Sequence, residues 1–191
     1  ARFGGHTFFL GGRIVLDAVE FKGLGQAGHL ARYPVHFHTA GDMVSSRVGR
    51  CSIRDTFQRC VTIHLTNGVH IHDNVAFRSS GHCYFLEDGY ESRNRFERNL
   101  AAVVRNVEEG LEIEPSDNFG ASCFWITFPD NDFVDNVAIG GTFGYWFALF
   151  AHPSGLGVSA YRDKTVWGRY RAAGVFRGNT ALSARADGLF V

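Results

Sequence analysis

The sequence predicts an all-β fold: a right-handed parallel β-helix, or solenoid, with loop insertions. Three observations predict it. First, four segments repeat one pattern: IHDNVAF (71–77), FERNLAA (96–102), FVDNVAI (133–139) and FRGNTAL (176–182). Each runs apolar, two variable residues, Asn, one residue, Ala, which places Asn74, Asn99, Asn136 and Asn179 at one slot. Second, short strands follow the repeats and many end in a turn pair: Gly41-Asp42, Asn67-Gly68, Asp88-Gly89, Asp130-Asn131. Such units, spaced about 20 to 30 residues apart, suit a solenoid. Third, 18 Phe and 23 Gly with only 4 Pro, and no helical periodicity, favour strands and turns. A β-sandwich is the rival all-β fold, but it does not explain one Asn recurring at one point of each unit.

The elements follow in order. The strand PVHFHT precedes Gly41-Asp42. IRDTFQR (53–59) reads as a degenerate fifth copy of the repeat, with Asp55 or Thr56 near the Asn slot. VTIHLTNG, GHCYFLEDG, CFWITFPDN, GYWFALF and DGLFV read as successive strands of one further series. Stacked asparagine side chains can bond backbone or the next Asn, forming a ladder. Two longer intervals mark insertions, about 103–122 (acidic) and 151–172. Loops leaving one side of a solenoid commonly build its binding groove.

The 191 residues fit a single β-helix domain over 1–191. The opening ARFGGHTFFLGG reads like mid-chain sequence, so a piece of a longer protein is expected. Lys+Arg and Asp+Glu both number 19. That balance argues against a nucleic-acid partner, which normally brings a basic excess. No stretch of 18 apolar residues is present, so direct membrane insertion by this segment is not expected. The four cysteines, Cys51, Cys60, Cys83 and Cys123, fit no zinc spacing. They read either as buried small apolar residues or as one disulfide, Cys60 with Cys83.

Side chains alternate faces along a strand. In PVHFHT, Val35 and Phe37 then point inward, and His36 and His38 outward. In VTIHL, Val61 and Ile63 point inward, and Thr62 and His64 outward. Neighbouring rungs lie about 4.8 Å apart. If Gly41-Asp42 and Asn67-Gly68 occupy equivalent turns, His38 stacks on His64. The next rung brings Glu87 and Asp88 to the same edge and His82 to its start. One outer face then gathers His36, His38, His64, Asp42, Glu87 and Asp88. Imidazole and carboxylate are ordinary ligands for a divalent metal ion, with His36, His38 and His64 as the ligand set; they are equally the groups of acid–base catalysis. No organic cofactor is expected. A solvated histidine ladder is the bland alternative. His70 and His72 lie in VHIHD and should face another side. His6, His29 and His152 lie outside the stack. Arg32, just before the HFH strand, is the candidate partner for an acidic ligand. Arg47, Arg50, Arg54 and Arg59 read as surface charges. Tyr84, Trp125 and Trp146 are candidates to stack on sugar faces, or else core aromatics.

GLGQ, RYPVHFHTAGD, SIRDTFQRCVTIHLTNG, GHCYFLEDG, FWITFPDNDFVDNVA and GYWFALFAHPSG occur in this order, from about Val19 to Gly155. In these motifs the chain resembles the β-helix region of the family that holds the cell migration-inducing and hyaluronan-binding protein, its transmembrane paralogue and fibrocystin-like proteins. The resemblance implies a right-handed β-helix, an extracellular or cell-surface setting, and depolymerisation of hyaluronan or another uronic-acid glycan. Fibrocystin-like members leave a non-catalytic glycan-binding or adhesive domain as the alternative. Hydrolysis needs two carboxyl groups, roughly 5 Å apart for retention and about 6.5–9.5 Å for inversion. Glu87 is then the expected general acid, and Asp42 or Asp88 the base or nucleophile. In a lyase, the second enzymatic reading, His38 or His64 takes the proton beside the uronate carboxylate. A metal ion or Arg32 neutralises that carboxylate.

Overall fold

A computed structural model describes residues 2–160 and 167–191. Eighteen strands form three parallel six-stranded sheets. The first sheet stacks Val15–Asp17, Arg47–Gly49, His70–His72, Arg95–Glu97, Asp132–Val134 and Phe176–Arg177. The second stacks Glu20–Lys22, Ser52–Arg54, Val75–Phe77, Leu100–Ala102, Val137–Ile139 and Thr180–Leu182. The third stacks Val35–Asp42, Val61–Asn67, Tyr84–Leu86, Ser122–Ile126, Phe143–Phe147 and Leu189–Phe190. Each coil contributes one strand to each sheet, which is a parallel β-helix. The only helical pieces among the described residues are Pro115–Phe119, Gly157–Ala160 and Gly168–Tyr170, all within the two insertions. The centre of the 151–172 insertion, 161–166, lies outside the described residues.

The corner between the first and second sheets explains the asparagine repeat. Arg50, Asp73, Arg98 and Asp135 all take positive φ near 50–55° there. That backbone bend is costly for a residue with a Cβ, and it leaves peptide groups unpaired inside the coil. The next residue satisfies them. Asn74 donates its backbone N–H and its side-chain amide to Oδ1 of Asn99, at 3.2 and 2.9 Å. Asn99 does the same to Asn136, and Asn136 to Asn179. Each of the four amides also donates to a backbone carbonyl: Val48, Ile71, Phe96 and Phe133. The neighbours are 25, 37 and 43 residues apart in sequence yet adjacent in space. The insertions absorb the difference. In the next coil toward the N-terminus the slot belongs to Cys51, whose N–H donates to Asn74 Oδ1 at 2.9 Å. Register settles this, since Ser52 pairs with Val75. IRDTFQR is therefore not the fifth copy: Asp55 and Thr56 come after the strand. Asn94 and Asn131 form a second, shorter ladder at another corner.

The interior is filled as the alternation predicts. Val35, Phe37, Val61 and Ile63 join one buried core with Ile71, Phe96, Phe124 and Phe133. Tyr84, Phe124 and Tyr145 stack inside the coil with ring centres 4.8 and 4.7 Å apart. Tyr84 is thus corrected from a candidate sugar platform to a core ring, because its register partner is inward-pointing Val61. Cys60 and Cys83 form a disulfide between adjacent coils, while Cys51 and Cys123 are free and buried. Burial pushes the Cys123 thiol up to about 12. No helix among the described residues is long and apolar enough to cross a membrane.

Candidate functional site

The outward row of the third sheet carries the unusual chemistry. His36, Thr62, Phe85, Trp125, Trp146 and Phe190 occupy successive coils in register. One step along, His38 pairs with His64. Beyond Leu86, which pairs with Ile63, Glu87 follows His64. The outward histidines do not lie bare. Phe8, from the N-terminal segment, packs on His36 and His38 with ring centres 4.8 and 5.1 Å away. The Tyr33 ring also packs against His36, at 4.8 Å. His36 is fully buried, His64 nearly so, and His38 is half-open.

Hydrogen bonds fix how the rings are presented. His36 Nδ1 donates to the Ala31 carbonyl at 3.1 Å, so its Nε2 carries a lone pair. That Nε2 is buried and has no hydrogen-bond partner. His64 Nε2 donates to Asp88 Oδ2 at 2.9 Å. Its Nδ1 meets His38 Nδ1 at 3.0 Å. Glu87 Oε2 sits 3.7 Å from His64 Nδ1 and 4.0 Å from His36 Nε2, buried and also without a hydrogen bond. One ligand atom from each of His36, His38 and His64 lies within 4.8 Å of the others, so the triad can hold a metal ion.

The electrostatics agree with this packing. Burial, helped by His38, lowers His36 to about 3, and burial and His64 lower His38, so both rings are neutral lone-pair donors. Burial also opposes charge on His64. The bond to Asp88 and the nearby Glu87 outweigh it and raise that ring above the ordinary value. Burial pushes the Glu87 carboxyl up to about 8 against the pull of His64.

Asp88 is held on every side. Its Oδ2 also accepts the Gly157 N–H at 2.8 Å, and its carbonyl accepts from Ser154, so the insertion after Phe150 closes over it. Glu91 shapes the turn beneath. Its fully buried carboxylate accepts backbone N–H bonds from Leu65, Asp88, Gly89 and Tyr90, all at 3.0–3.1 Å. Sequence reasoning missed Glu91, although a carboxylate three residues past a turn aspartate in EDGYE was the available signal.

Other expected members go elsewhere. Asp42 is exposed at the strand end, where its carboxylate meets Asn67 and Arg93 at 3.1 and 2.7 Å. Two residues separate His38 from Gly41, but only one separates their partners His64 and Thr66. That bulge pairs Asp42 with Asn67. The assumed match of Gly41-Asp42 with Asn67-Gly68 is off by one. His82 is buried rather than at an open edge. It accepts the Ser122 N–H at Nδ1, meets Ser116 Oγ through Nε2, and stacks on Trp125 at 4.3 Å. Trp125 is buried too, while Trp146 is half-open. Arg59 is corrected from a surface charge to a fully buried one. It pairs with both oxygens of Asp117, at 2.6 and 3.3 Å, and lies over the Phe85 ring at 4.3 Å. This pair pins the 103–122 insertion onto the site-bearing face. Arg32 is exposed, over the Phe8 ring. His70 and His72 lie on the first sheet, as expected, beside Glu97 and Asp73.

Comparison with known proteins adds kinship to this geometry. The family model described as CEMIP beta-helix matches residues 2–189. The chain is 33% identical to the human protein named cell surface hyaluronidase CEMIP2, over 99% of the chain and 16% of that protein. It is 33% identical to the zebrafish (Danio rerio) cell surface hyaluronidase, again over 99% of the chain and 16% of the relative. Communication mutant protein F of Dictyostelium discoideum is 38% identical over 80% of the chain and 15% of its own length. The chain thus spans about one sixth of the relatives it matches.

Proposed function

The chain belongs to the CEMIP β-helix family, and from that premise we propose that it is the glycan-degrading part of a longer extracellular or cell-surface protein. The reaction proposed is cleavage of glycosidic bonds in an uronic-acid-containing glycan, with hyaluronan as the first candidate. Two relatives carry the name hyaluronidase, which supports the substrate class. The Cys60–Cys83 disulfide supports an oxidising, extracellular setting.

The observation that carries the reading is the convergence of three imidazoles and two carboxyl groups on one outer edge. His36, His38 and His64 fit a divalent cation: their ligand atoms lie close together, and the buried lone pair on His36 Nε2 has no donor. A bound cation would supply positive charge for an anionic sugar. Asp88 orients His64 through Nε2. His38, the most open of the rings, faces the glycan. Glu87, expected from sequence to be the proton donor, turns its carboxyl toward His36, His64 and the Tyr33 hydroxyl, and belongs with the imidazoles. Arg32 and Trp146 keep their proposed roles in holding the chain, since both reach solvent. Trp125 is buried within that outer row and Tyr84 lies inside the coil, so neither is open to stack on the glycan.

Elimination is the favoured variant of the cleavage. A cation beside the uronate carboxylate is what proton removal next to that carboxylate requires, and the imidazole triad suits it. The test is the length of hyaluronan after incubation with the full-length protein, read with ultraviolet absorbance for unsaturated ends. Shortening with absorbance supports elimination, and shortening without it supports hydrolysis. No shortening of hyaluronan or related uronic-acid polymers overturns the enzymatic reading and leaves a glycan-binding ectodomain.

A further inference from the structure

We propose that His36, His38, His64 and Glu87 together form a four-ligand site for a first-row transition-metal dication of the zinc type. The inference rests on the triad reading above and extends it with a fourth ligand and a class of metal. Bonds of about 2.0–2.2 Å at tetrahedral angles put neighbouring ligand atoms roughly 3.3–3.6 Å apart. Here the separations are 3.0 Å for His38–His64, 3.7 Å for Glu87–His64 and 4.0 Å for Glu87–His36. These three separations bracket that spacing, and the three imidazole ligand atoms all lie within 4.8 Å of one another.

Two buried atoms call for a ligand independently of the spacing. His36 Nε2 and Glu87 Oε2 face each other without hydrogen bonds. Buried polar atoms are normally paired, and an orphaned pair facing one point marks a missing partner. A cation satisfies both at once. The outer contacts also match a metal centre. Ligating imidazoles generally donate their far N–H to a carbonyl or carboxylate, which fixes ring and tautomer. His36 donates to the Ala31 carbonyl, and His64 to Asp88.

The donor set selects the metal. Calcium and magnesium take oxygen ligands, whereas imidazole nitrogen suits zinc, iron, nickel, copper and related ions. Three nitrogens and one carboxylate oxygen therefore exclude a calcium site here. Half-open His38 leaves a route for the ion and, once it is bound, for one further ligand from outside.

The test measures binding rather than turnover. The full-length protein is stripped with a chelator, then titrated with zinc, manganese and calcium by calorimetry, and bound metal is counted by mass spectrometry. One equivalent of zinc, with far less manganese and none or far less calcium, is expected. Glu87→Gln keeps the shape but removes the carboxyl oxygen that a cation would bind, and should weaken binding at least tenfold. His36→Gln should do the same. His70→Ala, on the other sheet, should leave binding unchanged, and circular dichroism checks that each variant is folded. Wild-type binding by folded Glu87→Gln would overturn the fourth ligand, and no metal uptake by the wild type would overturn the site. Hyaluronan shortening that persists in metal-stripped protein would separate this failure from failure of the glycan reading.

Discussion

His38 and His64 face each other across neighbouring strands with their Nδ1 atoms 3.0 Å apart. Two unprotonated nitrogens repel at that distance, so one proton or one cation must lie between them. The bulge after His38 makes the meeting compatible with the turn that follows, by absorbing one residue before Gly41 pairs with Thr66.

His38→Ala removes the most open ring of the cluster. Under the proposed function, hyaluronan cleavage by the full-length protein is expected to fall about 100-fold or more. Stability should change by roughly 1 kcal/mol. Gel sizing of the polymer and a thermal melt read the two quantities separately.

Asp88→Asn keeps the volume but weakens the acceptor for His64 and Gly157. Metal affinity or cleavage should drop about 10- to 100-fold, the usual cost of losing an outer carboxylate. Gly155→Ala should act in the same direction. Its φ is +51°, and a Cβ there would stand 2.5 Å from Asp88 Oδ1. Full cleavage in both variants would remove Asp88 from the site.

Arg59→Met leaves Asp117 charged and buried without its partner. A loss of about 3–5 kcal/mol is expected. Arg59→Met with Asp117→Leu should recover much of it, because no lone charge remains. Denaturant midpoints of the single and double variants check this. Protease cutting within 103–122 should rise in the single variant alone.

Asn99→Ala strips the middle of the ladder. It removes the acceptor of the Asn74 N–H and of one Asn74 amide hydrogen, and the amide donor to the Ile71 carbonyl, while Asn136 Oδ1 keeps only the backbone N–H of residue 99. Unpaired buried groups of this kind cost about 1–3 kcal/mol each before relaxation, so a net loss of about 3 kcal/mol is expected. A melt unchanged within about 0.5 kcal/mol would show that the ladder is not a stabilising element.

His82 gives a pH dependence. Burial, with Arg59 nearby, holds its ring well below the ordinary imidazole value, while Asp117 pulls weakly the other way. The unfolded ring takes a proton near pH 6.5 and the folded ring does not. Stability from this group is complete above pH 6.5 and declines as pH falls below it, by up to about 1.4 kcal/mol per pH unit. The melting temperature of His82→Gln should therefore approach that of the wild type between pH 7 and 5. A gap that stays constant would mean that His82 is not held neutral.

Much of the fold was legible because a solenoid repeats its chemistry. The left-handed corner before Asn74, Asn99, Asn136 and Asn179 demands the same amide each time, so it surfaces as a periodic letter. The inward and outward alternation of Val35, His36, Phe37 and His38 followed from strand geometry, and so did the meeting of His38 with His64. The degenerate copy was misplaced because Cys51 fills the Asn slot. Its thiol cannot give the amide's pattern of bonds, so no letter marked the position.

By itself, the sequence determined the parallel coil, the face on which the histidines stand, and the edge that Glu87 and Asp88 reach. These follow from period and parity, which are local properties of the chain. The tertiary structure alone decided what covers that face and which groups are kept from water. Phe8, Tyr33, the 103–122 insertion and the loop bearing Gly157 come from distant segments, and nothing in the repeat dictates where they land. Their placement buries Arg59 with Asp117, turns Trp125 and His82 into a covered stack, and leaves His36 Nε2 and Glu87 Oε2 facing each other unpaired. A one-residue bulge sends Asp42 to Arg93 and out of the site. Desolvation and lone-pair direction depend on these long-range contacts, so only the folded chain shows them.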